Sequence, residues 1–277
     1  MGTKTVNKLA VPGATLHYEV TGTGPMLLLI AGGGTDGAIF DGIVGRLAAD
    51  YTVVAYDPRG NSRSPYDGAP ADERVDQSAE DALALIDAVG GGEPAYVFGS
   101  SSGAISGLEL ITRYPERVRL LVAHEPPCVE VLPDAADHRA FFEQVYDTYR
   151  TDGEAAADVL FSRGIGLDED DAPAPEDLLP EIVEMFIRFQ GNAANFYEHK
   201  LLPFTRYQPD LDALKAVAAQ IVPAAGAESM EFLPARPIQQ LADDLGWPTV
   251  KFPGNHAGYL SHPEAFATLL ARVLESD

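Results

Sequence analysis

The stretch that most restricts the fold of this chain is Gly-Ser-Ser-Ser-Gly at residues 99–103. A short apolar run precedes it at 95–98, and a helix-like segment follows at 104–114. Strand, then Gly-x-Ser-x-Gly, then helix is the pattern of a sharp turn that exposes its central serine. The two glycines let the strand and the helix approach each other, because they carry no side chain. The spacing predicts that Ser101 is a nucleophile. A Ser/Gly-rich loop without chemistry is the alternative.

Strands and helices alternate on both sides of this turn, as in a parallel sheet covered by helices. From about residue 128 to residue 208 the alternation stops, and two helical stripes flank an acidic, Pro-rich stretch at 168–175. The pattern predicts an α/β core at 1–127 and 209–277 and an inserted helical cap at 128–208. The buried strands are expected at 26–30, 51–56, 95–98, 118–123, 220–225 and 249–252.

Composition excludes several classes of partner. The formal net charge of −23 argues against nucleic acid or an anionic membrane surface. No run of 18 apolar residues occurs, and the first eight residues lack an apolar signal core, so we expect a cytoplasmic protein without a membrane span. The single cysteine, Cys128, excludes an internal disulfide. We expect no metal site and no cofactor, and the acidic run at 168–171 is predicted to be a solvated loop.

Three glycines, Gly32, Gly33 and Gly34, directly follow the predicted strand at 26–30. Without side chains, their backbone N–H groups can point into a cavity. In Gly-x-Ser-x-Gly enzymes one oxyanion-hole donor comes from a loop at this place, and the other from the residue after the nucleophile. The sequence therefore predicts the N–H groups of Ser102 and of Gly33 or Gly34 as donors. A flexible glycine loop without this role is the alternative.

A nucleophilic serine needs a base, and His256 is the candidate. It is the histidine that lies in a Gly-rich loop after the last predicted strand. The others lie in predicted strands, in the cap or at the start of the final helix, and they are His17, His124, His138, His199 and His262. Strand alternation predicts that His124 points away from its neighbour Glu125.

A third group must orient the imidazole of the base, and two carboxylates are candidates. Glu125 and Glu228 both preserve the chain order serine, acid, histidine. Glu125 is favoured because it abuts the end of a predicted strand, on the sheet edge where parallel sheets bind ligands. The prolines after it, Pro126 and Pro127, fix the direction of the chain there. Glu228 remains open.

The motifs taken in order resemble the α/β-hydrolase fold over nearly the whole chain outside the cap. They are the glycine loop, Asp-Pro-Arg-Gly-Asn-Ser-Arg-Ser at 57–64, Gly-Ser-Ser-Ser-Gly, and Gly-Asn-His-Ala-Gly at 254–258. The resemblance implies a mostly parallel eight-stranded sheet flanked by helices, with an inserted helical cap. Many α/β-hydrolases have an Asp near the position of Ser229, and its absence here favours Glu125 as the acid.

Within this superfamily, residues 99–104, 124–127 and 253–263 are similar to the zearalenone lactone hydrolases. In that family a Glu directly after the strand that follows the nucleophile helix completes the triad, which implies this role for Glu125. The family's substrate-stacking Trp lies in its cap, whereas Trp247, the one tryptophan here, lies outside the cap. The resemblance therefore implies the chemistry and leaves the substrate open.

Together these features predict a serine hydrolase that cleaves a small-molecule ester or lactone through an acyl-enzyme. Carbon–carbon bond hydrolysis or perhydrolysis would use the same residues, and a ligand receptor on this fold could retain them. Cap aromatics suggest a bulky, partly apolar substrate. The oligomeric state stays open, a homodimer included. The candidate pocket residues are Phe186, Phe189, Phe196 and Tyr197, with Phe204 and Tyr207 as further cap aromatics.

Overall fold

An eight-stranded sheet forms the centre of the computed structural model, which describes residues 3–167 and 180–275. Its spatial order is β1-β2-β4-β3-β5-β6-β7-β8. The pairs β1–β2 and β2–β4 are antiparallel, and every later pair is parallel. This confirms the mostly parallel sheet that the sequence predicts. The strands are β1 (Thr5–Val11), β2 (Ala14–Thr21), β3 (Met26–Ile30), β4 (Thr52–Tyr56), β5 (Ala95–Ser100), β6 (Val118–His124), β7 (Ile221–Gly226) and β8 (Val250–Phe252).

Helices cover both faces of the sheet, and the side chains of β3 show why. Leu28 and Ile30 point into one hydrophobic cluster, whereas Leu27 and Leu29 point into the other. A strand alternates its side chains between faces, so an uninterrupted apolar run is stable only where both faces are covered. The core helices are α1 (Asp41–Leu47), α2 (Val75–Val89), α3 (Ser102–Arg113), α9 (Leu211–Ala216), α10 (Arg236–Leu245), α11 (Gly258–Ser261) and α12 (Pro263–Glu275).

Between β6 and α9 most of the described chain is helical. We call these helices the cap, and they enclose a third hydrophobic cluster that includes Phe142, Val145 and Tyr197. The acidic stretch predicted at 168–175 lies outside the described residues. The cap elements are α4 (Ala135–Asp152), α5 (Glu154–Gly164), α6 (Pro180–Gly191), α7 (Ala193–Asn195), a π-helical turn (Phe196–Lys200) and α8 (Leu201–Thr205).

Element boundaries differ slightly from those that the sequence predicts. A 3-10 turn, Gly37–Phe40, precedes α1, and Asp36 caps that turn by accepting from the N–H of Ala38. Strand β6 extends to His124, one residue beyond the prediction. No helix among the described residues is both long and apolar enough to cross a membrane.

Near the predicted nucleophile, backbone segments pack most closely at the turn from β5 into α3. A Cβ on Gly103 would lie 2.1 Å from the carbonyl oxygen of Ile30, and one on Gly99 would lie 2.4 Å from that of Gly103. Both neighbours are backbone atoms, which cannot rotate away as side chains do. The two glycines are therefore required by the contact between β3, β5 and α3.

We expect Gly103→Ala to lower the free energy of unfolding by at least about 1–3 kcal/mol, because its methyl group would overlap the backbone of β3. Gly45→Ala is the matched control, since Gly45 is exposed in α1 and a Cβ there meets nothing within 4 Å. That control should stabilise the protein slightly through helix propensity. Urea unfolding of the two variants measures both effects. Equal stability of the two variants would contradict the steric account.

Candidate active site

Ser101 occupies the turn between β5 and α3 in a backbone conformation that is uncommon for a residue with a side chain. Its φ is 57° and its ψ is −128°, and α3 begins at the next residue. The Ser101 N–H donates to the carbonyl of His124 on the neighbouring strand at 2.9 Å, which holds the turn against β6. Positive φ at a non-glycine residue costs free energy and is found most often at functional sites.

Glu125 and His256 form a hydrogen-bonded pair on the same edge of the sheet. Nδ1 of His256 lies 2.5 Å from Oε2 of Glu125. The other carboxylate oxygen, Oε1, accepts from the N–H of Gly226 at 2.7 Å, and the Glu125 N–H donates to Ala224 at 3.0 Å. Glu125 also has a positive φ, 49°. The end of β7 therefore fixes both the backbone and the carboxylate of Glu125.

The electrostatics of this pair favour an ionised carboxylate. Glu125 has no solvent exposure, and burial by itself would raise its pKa. The hydrogen bond and charge of His256, together with the Gly226 N–H, outweigh burial, and the pKa of Glu125 lies below its ordinary value of 4.5. Because Nδ1 of His256 is hydrogen-bonded to the Glu125 carboxylate, Nε2 is the ring nitrogen that can accept a proton from another group.

Ser101 and His256 line one cavity, together with Glu125 and the glycine loop. Within the described residues, no hydrogen bond joins the Ser101 hydroxyl to the imidazole. Catalytic hydrogen bonds are often long before a substrate is bound, so the shared cavity is the relevant geometry. The structure thus brings the predicted nucleophile, base and favoured acid to one place. Glu228, by contrast, is exposed, and its backbone N–H donates to Gly254.

The glycine loop (residues 32–35) lies directly against the nucleophile turn. A Cβ on Gly32 would lie 2.6 Å from Cβ of Ser101 and 3.1 Å from the backbone nitrogen of Ser102. The Gly33 N–H donates to the Ser102 hydroxyl at 2.9 Å. Within the described residues, the N–H groups of Gly34 and Ser102 have no hydrogen-bond partner. The predicted donors Gly33, Gly34 and Ser102 are therefore adjacent, with one of them bound to a neighbouring hydroxyl.

The cavity has a volume of about 590 Å³ and is lined mainly by apolar side chains. The four pocket residues predicted from the sequence all contribute to it, namely Phe186, Phe189, Phe196 and Tyr197. Phe204 lines it as well, but Tyr207 does not, because its hydroxyl donates to Glu109 at 2.8 Å beside α3. Ile39, Tyr259 and Leu260, from outside the cap, also line it.

The sequence prediction missed a second set of lining residues on α5 and at its C-terminal cap. Phe161 and Ile165 contribute apolar surface, and Glu154 and Asp158 contribute carboxylates. The Tyr197 hydroxyl donates to Asp158, so that carboxylate also orients one of the pocket aromatics. The only available signal was the spacing Glu154, Asp158, Phe161, Ile165 along one face of a helix, and that pattern is common to many amphipathic helices.

Comparison with known proteins identifies the family. The sequence model of the alpha/beta hydrolase fold family matches residues 25–162 of this chain. A Bacillus subtilis protein named uncharacterized hydrolase YraK is 37% identical over 273 residues, which cover 97% of this chain and 96% of that one. The chain belongs to the α/β-hydrolase family.

Two further comparisons agree with this assignment. The zearalenone hydrolase of Bionectria ochroleuca is 33% identical over 130 residues, or 45% of this chain and 48% of its own. Among solved structures, a thermophilic esterase from Thermogutta terrifontis superposes with a TM-score of 0.74 at 19% identity, covering 100% of this chain and 98% of that one. At that identity the superposition demonstrates a common fold. The protein is a hydrolase with the α/β-hydrolase fold.

His124 is a buried histidine beside the candidate triad of this hydrolase. Its ring lies among the phenylalanines of the cluster that contains Val122, which is the face that alternation along β6 gives it, and it stacks on the ring of His256 with centroids 6.2 Å apart. The positive φ of Glu125 ends the alternation at the next residue. Nδ1 of His124 lies 3.2 Å from the Ser100 hydroxyl, and Nε2 has no partner among the described residues. Phe98, Phe252 and Phe266 surround the ring.

We expect His124 to make the protein less stable in acid. Burial lowers the pKa of His124 from 6.5 to about 4 in the folded state. As the pH falls from 6.5 towards 4, the unfolded chain binds a proton that the folded chain excludes. The free energy of unfolding therefore decreases, by roughly 2 kcal/mol from this group between pH 7 and pH 5.

Urea unfolding of His124→Leu at pH 7 and pH 5 measures this contribution. The variant should lose less stability on acidification than the wild type does. His262→Leu is the control, because His262 is exposed at the start of α12, and this variant should keep the wild-type difference. An unchanged pH dependence in a folded His124→Leu protein would contradict the assignment of this effect to His124.

Proposed function

We propose that this hydrolase cleaves an ester or lactone through an acyl-enzyme on Ser101, with His256 as the base and Glu125 as the acid that orients it. One observation carries the proposal. A fully buried carboxylate is hydrogen-bonded to the histidine that shares a cavity with the strained serine. A serine at the head of a helix, a histidine and a carboxylate are the parts that nucleophilic acyl transfer requires.

The proposed reaction has two halves. His256 takes the Ser101 proton as Oγ bonds to the substrate carbonyl carbon, and Glu125 stabilises the imidazolium that forms. When the tetrahedral intermediate collapses, His256 returns the proton to the leaving oxygen. In a lactone, that oxygen stays attached to the acyl chain. His256 then deprotonates a water molecule, which attacks the acyl carbon, and as the second tetrahedral intermediate collapses His256 returns that proton to Oγ of Ser101 and the acid leaves.

The N–H groups of Ser102 and of Gly33 or Gly34 are the proposed donors to the oxyanion. The Ser102 N–H belongs to the first turn of α3, where helix N–H groups lack intrahelical partners. Close approach of Gly32 to Ser101 brings the glycine loop within reach of the same oxygen. Backbone donors fixed in this way stabilise charge without reorganising during the reaction.

The shape and lining of the cavity support a bulky, partly apolar small molecule as the substrate. The zearalenone hydrolase similarity is consistent with a lactone, and an ester would use the same chemistry. Residues 1–127 and 209–277 would then provide the triad, and residues 128–208 the cap over the substrate. The cytoplasmic location stays a prediction.

We expect Ser101→Ala to lower kcat/KM for a short nitrophenyl ester by about 10³-fold or more, because the nucleophile is lost. A fluorophosphonate should add to the wild-type protein once, at Ser101, and intact-protein mass with peptide mapping detects this adduct. Ser106→Ala, one turn further along α3, is the control that should keep the adduct and the activity.

Three outcomes of this experiment would contradict the proposal. Full activity of Ser101→Ala would exclude Ser101 as the nucleophile. An adduct without turnover on any ester or lactone would favour a ligand receptor. No adduct in folded wild-type protein would mean that Ser101 is not activated.

We expect Glu125→Gln to reduce kcat/KM by roughly 10²–10⁴-fold, since the amide no longer stabilises the imidazolium. Glu228→Gln is the matched control, and its exposed side chain predicts little change. Steady-state kinetics on the same ester compares the two variants. A larger loss from Glu228→Gln would transfer the role of the acid to Glu228.

A further inference from the structure

The glycine loop is held by its carbonyl groups. The Gly32 oxygen accepts from the N–H of Thr35 at 3.1 Å and from its hydroxyl at 2.6 Å. The Gly33 and Thr35 oxygens both accept from the side-chain amide of Asn61, at 3.2 and 2.8 Å. The Gly34 oxygen accepts from Asn192 at 2.8 Å. Each of the four carbonyls therefore has a donor, and one of these donors comes from the cap.

Asn192 connects the cap to the core through three hydrogen bonds. Besides donating to Gly34, its Nδ2 donates to the Ser62 hydroxyl at 2.9 Å, and its Oδ1 accepts from the Ser62 N–H at 2.6 Å. Asn192 is 3% exposed. Ser62 has a φ of 47°, one of three positive values at non-glycine residues in the described part of the chain. The other two belong to Ser101 and Glu125.

Cap residues near Asn192 make further polar contacts with the core, and these hold Asn192 in position against the glycine loop. Asn195 donates to Oδ1 of Asn61 at 3.0 Å, so the cap also orients the second amide that binds the loop. Arg188 donates to the buried carboxylate of Asp36 at 2.7 Å, just after the glycine loop. Buried Lys200 pairs with buried Glu73 at 3.2 Å. The cap thus meets this part of the core through polar contacts, which fix direction as well as distance.

Holding a carbonyl also orients an N–H, because the two groups of a trans peptide point in opposite directions. Because Asn61 binds the Gly33 oxygen, the Gly34 N–H of the same peptide points away from Asn61, while the Gly33 N–H donates to the Ser102 hydroxyl. Asn192 binds the next peptide of the loop and prevents it from turning. We propose that Asn192 is a positioning residue for the oxyanion hole, so that the cap takes part in transition-state stabilisation. This proposal rests on the ester or lactone hydrolysis proposed above.

The test compares Asn192→Asp and Asn192→Ser with the wild-type protein. The Asp variant keeps the size and the acceptor of Asn192 but loses both donated hydrogen bonds. The Ser variant is too short to reach Gly34. We expect kcat to fall about 10–100-fold in each, with little change in KM, because displaced donors weaken binding of the transition state more than of the substrate.

A transition-state analogue separates positioning from a merely structural role. An aryl trifluoromethyl ketone forms a hemiketal oxyanion with a catalytic serine, whereas the matching aryl ether binds without reacting. We expect the inhibition constant of the ketone to rise by the same factor as kcat/KM falls, and that of the ether to stay unchanged. Arg150→Gln is the control, because it breaks only an exposed cap ion pair with Glu198.

The outcomes distinguish this proposal from the function on which it rests. An unchanged kcat in either folded variant would overturn the role of Asn192. Equal losses of ketone and ether binding would assign Asn192 to the shape of the pocket instead. A wild-type protein without turnover, or an active Ser101→Ala variant, would overturn the proposed function first, before any cap variant is compared.

Discussion

A buried carboxylate is the constraint on which this site depends. Removing Glu125 from water costs several kcal/mol unless nearby donors compensate for the lost hydration. The structure supplies them from two directions, the Gly226 N–H at the end of β7 and the His256 ring after β8. Because both donors are needed, the ends of β6, β7 and β8 must meet at one point. That meeting brings His256 into the cavity that Ser101 lines.

Much of this arrangement could be predicted from the sequence, because it follows from local rules. Uninterrupted apolar runs identify strands covered on both faces, and the glycine spacing around Ser101 reflects a backbone approach so close that an added Cβ would lie 2.1–2.4 Å from a carbonyl oxygen. His256 follows from its loop after the last strand. The choice between Glu125 and Glu228 is different, since both fit the order along the chain. Only the spatial pairing of β6 with β7 brings one of them to the imidazole.

The polar contacts around the glycine loop could not be predicted in this way. Asn61 and Asn195 are 134 positions apart, and an asparagine in a turn or near a helix end is unremarkable in sequence. Their roles depend on how the cap packs against the core, and the spacing of residues along the sequence carries no information about that packing. Glu125 illustrates a second limit. Alternation along β6 predicts the direction of a side chain only while the backbone stays extended, and Glu125 leaves the extended region.

The triad candidates and most of the cavity wall come from different parts of the chain, and this separation has a consequence for redesign. The nucleophile, base and acid candidates sit at the ends of strands, whereas most of the cavity wall comes from helices inserted between β6 and β7. A library for new substrates can therefore diversify the wall at Phe186, Phe189 and Phe161. Asn192 and Asn195 lie within a few residues of that wall but face the core, and the same library should leave them intact. The cap is exchangeable only together with its asparagines.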